Sequence, residues 1–130
     1  MSRKRPSVLI VDDNDIMRTV LRGILRSHEY DVVGEARNGN GAVEMAERLK
    51  PDIICLDVLM PEKNGLEALL EIKAARPEVH IVMVTGNADP DTVQKSIMSG
   101  AAGFIVKPFN AARVLDTLDR IKGKRRAGKS

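Results

Sequence analysis

Aromatic residues are nearly missing from this chain: no tryptophan, one tyrosine and two phenylalanines among 130 residues. So few rings leave no platform on which nucleic-acid bases could stack. The single cysteine, Cys55, excludes an internal disulfide and fits a reducing cytosol. It lies inside an apolar run and reads as a small buried core residue. The two histidines, His28 and His80, stand apart without ligand spacing, and neither is assigned to a metal. No apolar stretch approaches the roughly 20 residues that span a bilayer. Ser2-Arg3-Lys4-Arg5 precedes an apolar run too short for a signal peptide. The expected location is cytoplasmic, with no membrane partner.

Charge is plentiful but unevenly spread. The net charge of +3 combines an acidic body with basic ends. Eight of the 21 basic residues lie in the first five and last nine positions, which leaves 13 against 18 acids, or −5, for residues 6–121. The ends are read as solvated tails rather than a nucleic-acid site. The length suits one domain. The expected organisation is a basic arm over 1–6, one folded domain over 7–122 and a basic flexible tail over 123–130. The starting Met and short basic end are read as those of a complete chain with no fused DNA-binding domain.

The most informative pattern is a set of short apolar runs, each ending in a functional group. Val8–Val11 leads into Asp12-Asp13, Ile53–Leu56 into Asp57, Ile81–Val84 into Thr85, and Phe104–Val106 into Lys107-Pro108. Between them lie segments of helical period. This alternation predicts an α/β fold of buried parallel strands joined by crossover helices. Strands are expected near Ser7–Val11, Asp31–Ala36, Asp52–Leu56, His80–Val84 and Gly103–Val106. Helices are expected near Asp15–Ser27 (inward face Met17, Val20, Leu21, Ile24), Asn40–Leu49 with Asn40 as cap, Gly65–Ala75 (Leu66, Leu69, Leu70), Pro90–Ser99 capped by Asp89, and Ala111–Lys122 (Leu115, Leu118, Ile121) capped by Asn110.

Ligands bind such sheets at the carboxyl ends of the strands, so these groups should converge. Three carboxylates in one crevice repel each other and need a proton or cation. Hard oxygen ligands suit Mg²⁺. Asp57 is the candidate nucleophile, since a carboxylate can attack phosphorus to give an acyl phosphate. Lys107 would hold a phosphoryl oxygen as a point charge. Thr85 could donate its hydroxyl to another, and Gly86 would let backbone N–H groups approach closely.

These residues resemble a response-regulator receiver domain of the CheY-like, single-domain type. The matching motifs are Val11-Asp12-Asp13, Leu56-Asp57-Val58-Leu59-Met60-Pro61, Asn64-Gly65, Val84-Thr85-Gly86 and Val106-Lys107-Pro108-Phe109, spread over about residues 7–122. Five in order at strand ends are very specific. The resemblance implies a doubly wound (βα)5 fold with the flavodoxin-like strand order 2-1-3-4-5. It implies Asp57 as phosphoacceptor and Asp13 as a direct Mg²⁺ ligand, with Asp12 acting chiefly through water and the Leu59 backbone carbonyl completing the set. It implies Thr85 as the switch, with Phe104 swinging inward beside it; Phe104 also reads as a plain core aromatic. The Lys107–Pro108 bond would be cis. Leu59 and Asn87 occupy the positions that tune phosphoryl lifetime, and an apolar Leu59 departs from the polar pattern of chemotaxis-type members.

The implied function is a bacterial two-component switch, phosphorylated by a sensor histidine kinase or a histidine phosphotransfer protein. Its output surface would be the fourth helix, fifth strand and fifth helix, offered to an unknown downstream protein by a monomer or a phosphorylation-dependent homodimer. A phosphorelay shuttle that passes the phosphoryl group onward is the alternative within the same chemistry. A haloacid-dehalogenase-type phosphatase would need an acid/base carboxyl where Leu59 stands. A flavodoxin-type cofactor binder would need a phosphate-cradling loop where Asp12-Asp13 would repel phosphate. The chain is therefore not expected to be an enzyme beyond its own phosphorylation and slow dephosphorylation.

Overall fold

A computed structural model describes residues 5–60, 63–86 and 89–127, with side chains as far as Gly123. Pro61, Asn87, Arg3, Lys4 and Lys129 lie outside the described residues, as do the side chains of Lys124, Arg125 and Arg126. Five strands alternate with five helices: β1 Ser7–Val11, α1 Asp15–Arg26, β2 Asp31–Ala36, α2 Gly39–Leu49, β3 Ile53–Leu56, α3 Gly65–Ala75, β4 His80–Thr85, α4 Pro90–Met98, β5 Gly103–Val106 and α5 Ala111–Ala127. All strand pairs are parallel, in the order β2-β1-β3-β4-β5. No helix among the described residues is long and apolar enough to cross a membrane.

The central strands β1, β3 and β4 are apolar along nearly their whole length because both faces of the sheet are covered there. Their side chains alternate between two cores. Leu9, Val11, Ile54, Leu56, Ile81 and Met83 meet Ala42 and Ala46 of α2 and Ala68, Leu69 and Ile72 of α3. Val8, Ile10, Ile53, Cys55, Val82, Val84 and Ile105 meet Leu21 and Leu25 of α1 and Val114, Leu118 and Ile121 of α5. Burial of each such Leu, Ile or Val stabilises the fold by about 1.5–3 kcal/mol. Burial also pushes the Cys55 thiol up to about 12, so it stays a protonated core side chain.

Each helix starts with an Asn or Asp that turns the chain at the carboxyl end of the sheet. Asn14 accepts from the amides of Ile16 and Met17, Asn64 forms a reciprocal capping box with Glu67, Asp89 accepts from Thr92 N–H ahead of Pro90, and Asn110 accepts from Arg113 N–H. Such a cap contributes about 1 kcal/mol.

The structure corrects four details. The cap of α2 is Asn38 rather than Asn40: its extended backbone lets Oδ1 accept from Gly41 N–H. In α1, Leu21 and Leu25 set the buried stripe one helical turn apart, which rotates Val20 out to 42% exposure. In α3, Ala68, Leu69 and Ile72 set the stripe, and Leu70 is left outside it. The last helix continues past Lys122 to Ala127; one glycine at 123 costs only about 1 kcal/mol, which the flanking helix formers absorb. At the N-terminal side of β1, Pro6 is buried and its carbonyl accepts from Asp31 N–H.

Candidate functional site

The β1 strand ends at Val11, and Asp12 follows with 1% of its surface exposed. Every polar atom of Asp12 is engaged. Its N–H donates to the Ala36 carbonyl at 3.0 Å, and its own carbonyl accepts from Arg18 Nη1 at 2.6 Å. Its Oδ1 accepts from Asn14 N–H at 2.9 Å, and its Oδ2 faces Lys107 Nζ at 2.7 Å. Asp13, by contrast, is exposed, and its carboxylate makes no hydrogen bond among the described residues.

Asp57 directly follows β3 and is tied to β1 by its N–H, which donates to the Val11 carbonyl. It is 5% exposed. Burial first, and the charge of Asp12 second, push its carboxyl up to about 6. Lys107, whose Nζ lies 3.4 Å from Asp57 Oδ2, and a hydrogen bond from the Leu59 backbone oppose the shift without cancelling it. The loop behind Asp57 is held by close backbone packing. Gly65 N–H donates to the Val58 carbonyl at 2.8 Å, and a Cβ at Gly65 would stand 2.0 Å from the Asp57 carbonyl oxygen. Glycine is required there by space rather than by torsion.

Thr85 ends β4 with 1% exposure, and its carbonyl accepts from Lys107 N–H at 2.8 Å. Hydroxyl and ammonium residues thus share one main-chain bond across β4 and β5. The Lys107–Pro108 bond is cis. Burial alone would lower the pKa of Lys107, but the hydrogen bond with Asp12 and the charges of Asp57 and Asp12 outweigh it and hold the ammonium above its ordinary value. Gly86 is exposed, and among the described residues an added Cβ would meet only Lys107 Cβ, at 4.0 Å. Phe104 pairs in register with Met83 and packs, half-buried, against the core that contains Leu9 and Leu56.

Carboxylate oxygens of Asp12, Asp13 and Asp57 lie within 4.8 Å of one another. Three carboxylates face one ammonium, a local excess of negative charge to which Asp12 contributes, after burial, in raising the Asp57 pKa. All the donors are hard oxygens, one of them exposed and unbonded, so the residues fit a divalent cation such as Mg²⁺. The side chain at Leu59 is apolar and 60% exposed. It supplies no acid or base next to Asp57.

Residues that the sequence pattern did not single out also shape the site. Asn14 and Arg18 hold Asp12. Glu35 and Arg22 hold Arg18 in turn: Arg18 Nε reaches Glu35 Oε1 at 3.3 Å, and Arg22 pairs with Glu35 Oε2. Gly39 N–H donates to the Lys63 carbonyl at 3.0 Å and joins the start of α2 to the loop after Asp57. The available signal was a glutamate inside a strand, opposite two arginines one turn apart.

The family model for the response regulator receiver domain matches residues 8–119. The chemotaxis protein CheY of Listeria monocytogenes is 44% identical over 113 residues, covering 87% of this chain and 95% of that one. CheY of Thermotoga maritima is 43% identical over 114 residues, covering 88% and 95%. Among solved structures, the CheX-CheY-BeF3-Mg complex from Borrelia burgdorferi superposes with a TM-score of 0.87 at 29% identity, covering 88% of this chain and 87% of that chain.

Proposed function

The chain belongs to the response regulator receiver family, a single receiver domain of CheY type in two-component signalling, and from that premise we propose that it is switched by phosphorylation of Asp57. The observation that carries the reading is the state of Asp57: a nearly buried carboxylate, repelled by Asp12, with an ammonium 3.4 Å away. The donor is the phosphohistidine of a sensor kinase or a phosphotransfer protein. An Asp57 oxygen attacks phosphorus, the P–O bond forms as the P–N bond breaks, and the imidazole nitrogen keeps the bonding pair. Lys107 exchanges its longer contact, to Asp57, for a phosphoryl oxygen while it keeps Asp12. Thr85 donates its hydroxyl to a second phosphoryl oxygen.

Asp12, Asp13, Asp57 and the Leu59 carbonyl would hold Mg²⁺, which when bound lowers the repulsion between the anionic nucleophile and the anionic donor. The output is a protein contact on α4, β5 and α5. The exposed apolar side chains Ile97 and Met98 on α4 and Val106 on β5, at 61%, 79% and 47% exposure, support that assignment.

Intact-mass analysis after treatment with acetyl phosphate and Mg²⁺ tests the proposal. One phosphoryl group is expected on the native chain and none on Asp57→Asn. Full labelling of that variant would place the nucleophile elsewhere.

A further inference from the structure

Asp12 and Asp13 are adjacent in sequence but opposite in constraint. The Asp12 carboxylate is locked by two partners; the exposed Asp13 carboxylate has none among the described residues. The direction of Asp13 is therefore set by its backbone, that is, by the peptide plane between residues 12 and 13. The oxygen of that peptide is the Asp12 carbonyl, and Arg18 Nη1 holds it at 2.6 Å. Arg18 is itself fixed on its other edges. Its Nε meets Glu35 Oε1 at 3.3 Å, its Nη2 pairs with Asp15, and Glu35 is gripped again by Arg22. The Arg18 side chain is 12% exposed, so the fork is a rigid part of the fold rather than a surface ion pair.

We propose that Arg18 is a positioning residue for the cation site: by clamping the Asp12 carbonyl between α1 and β2, it aims the Asp13 carboxylate at the cation. This rests on the reading that the acidic cluster binds Mg²⁺. Charge and geometry make opposite predictions. A guanidinium beside three carboxylates disfavours a cation by Coulomb repulsion, so its removal should tighten Mg²⁺ binding. A clamp orients a ligand, so its removal should weaken binding, by about tenfold as is typical when a group that supports a metal ligand is lost.

Calorimetric titration of Mg²⁺ into the native chain, Arg18→Ala and Arg18→Lys separates the two. Lys keeps the charge but lacks the fork that joins Asp12, Glu35 and Asp15. About tenfold weaker binding in both variants is expected. In the metal-free proteins, amide exchange at Asp13 and Asn14 should quicken in both. Native Arg18→Lys affinity, or equal or tighter binding in a folded Arg18→Ala, overturns the clamp alone. Absence of Mg²⁺ binding by the native chain overturns the cation reading and the clamp together.

Discussion

Lys107 stands closer to Asp12 than to the nucleophile candidate: its Nζ is 2.7 Å from Asp12 Oδ2 and 3.4 Å from Asp57 Oδ2. The ammonium is thus anchored on the carboxylate that does not react. Its second contact is the looser one, available to an incoming oxygen without loss of the anchor. The same arrangement leaves Asp57 under-compensated.

Burial of Asp57, with the charge of Asp12 added to it, gives a pH-dependent stability. The Asp57 carboxyl is raised from 3.8 to about 6 in the folded chain, so the fold binds this proton more tightly than the unfolded chain does. Below the unfolded value both states are protonated and nothing is lost. As pH rises through about 6 the cost of the buried anion grows to its full size, about 3 kcal/mol at roughly 1.4 kcal/mol per unit. In metal-free buffer Asp57→Asn should unfold at a higher temperature than the native chain at pH 7, and this advantage should shrink toward pH 4. Thermal unfolding of both proteins across that range checks it; an advantage that does not change with pH would exclude Asp57 as its source.

Asp13→Ala should abolish measurable Mg²⁺ binding and leave metal-free stability unchanged or slightly raised. The carboxylate is exposed and unbonded among the described residues, so its loss breaks no internal contact and removes one of three like charges. Titration calorimetry together with urea unfolding reads both effects. Unaltered affinity would remove Asp13 from the ligand set.

Leu59→Asn should speed loss of the phosphoryl group from Asp57 by about tenfold, the size typical of gaining a positioning contact for the attacking water. The native side chain is exposed and offers no hydrogen bond there. Decay of labelled protein with Mg²⁺ present is the measurement, and equal or slower decay would show that Leu59 does not govern access of water.

Two glycines should respond in opposite directions. A Cβ at Gly65 would stand 2.0 Å from the Asp57 carbonyl oxygen, so Gly65→Ala should destabilise the fold by about 3 kcal/mol and reduce phosphorylation as the loop shifts. Gly23, inside α1, has nothing within 4 Å of an added Cβ. Gly23→Ala should therefore stabilise by about 1 kcal/mol. Chemical denaturation of the pair tests the packing argument within one protein.

The parallel sheet was legible in the sequence because it follows from a strong signal, four apolar runs with a functional group after each; the strand order came from the resemblance to receiver domains and is the one observed. The convergence of Asp12, Asp13, Asp57 and Lys107 followed from the same signal. What was not legible depended on contacts between distant segments. No local pattern says that Arg18 of α1 meets Glu35 of β2, or that Gly39 meets Lys63 across two loops. The rotations of α1 and α3 were misread because an apolar residue next to the buried stripe, such as Val20 or Leu70, looks the same in sequence as one within it. The end of α5 was misread because one glycine weakens a helix without ending it.

Among the described residues, the strand that precedes Lys107 pairs with β4 alone, at the edge of the sheet. It is also the last of the five described strands to leave the ribosome. The Asp12–Lys107 ion pair closes a separation of 95 residues, so a nascent chain carries its acidic cluster without its internal cation until the final strand docks. Folding order and charge balance are coupled there: contacts of long sequence separation form late, and the docking of β5 both completes the sheet and partly offsets the charge at its carboxyl edge.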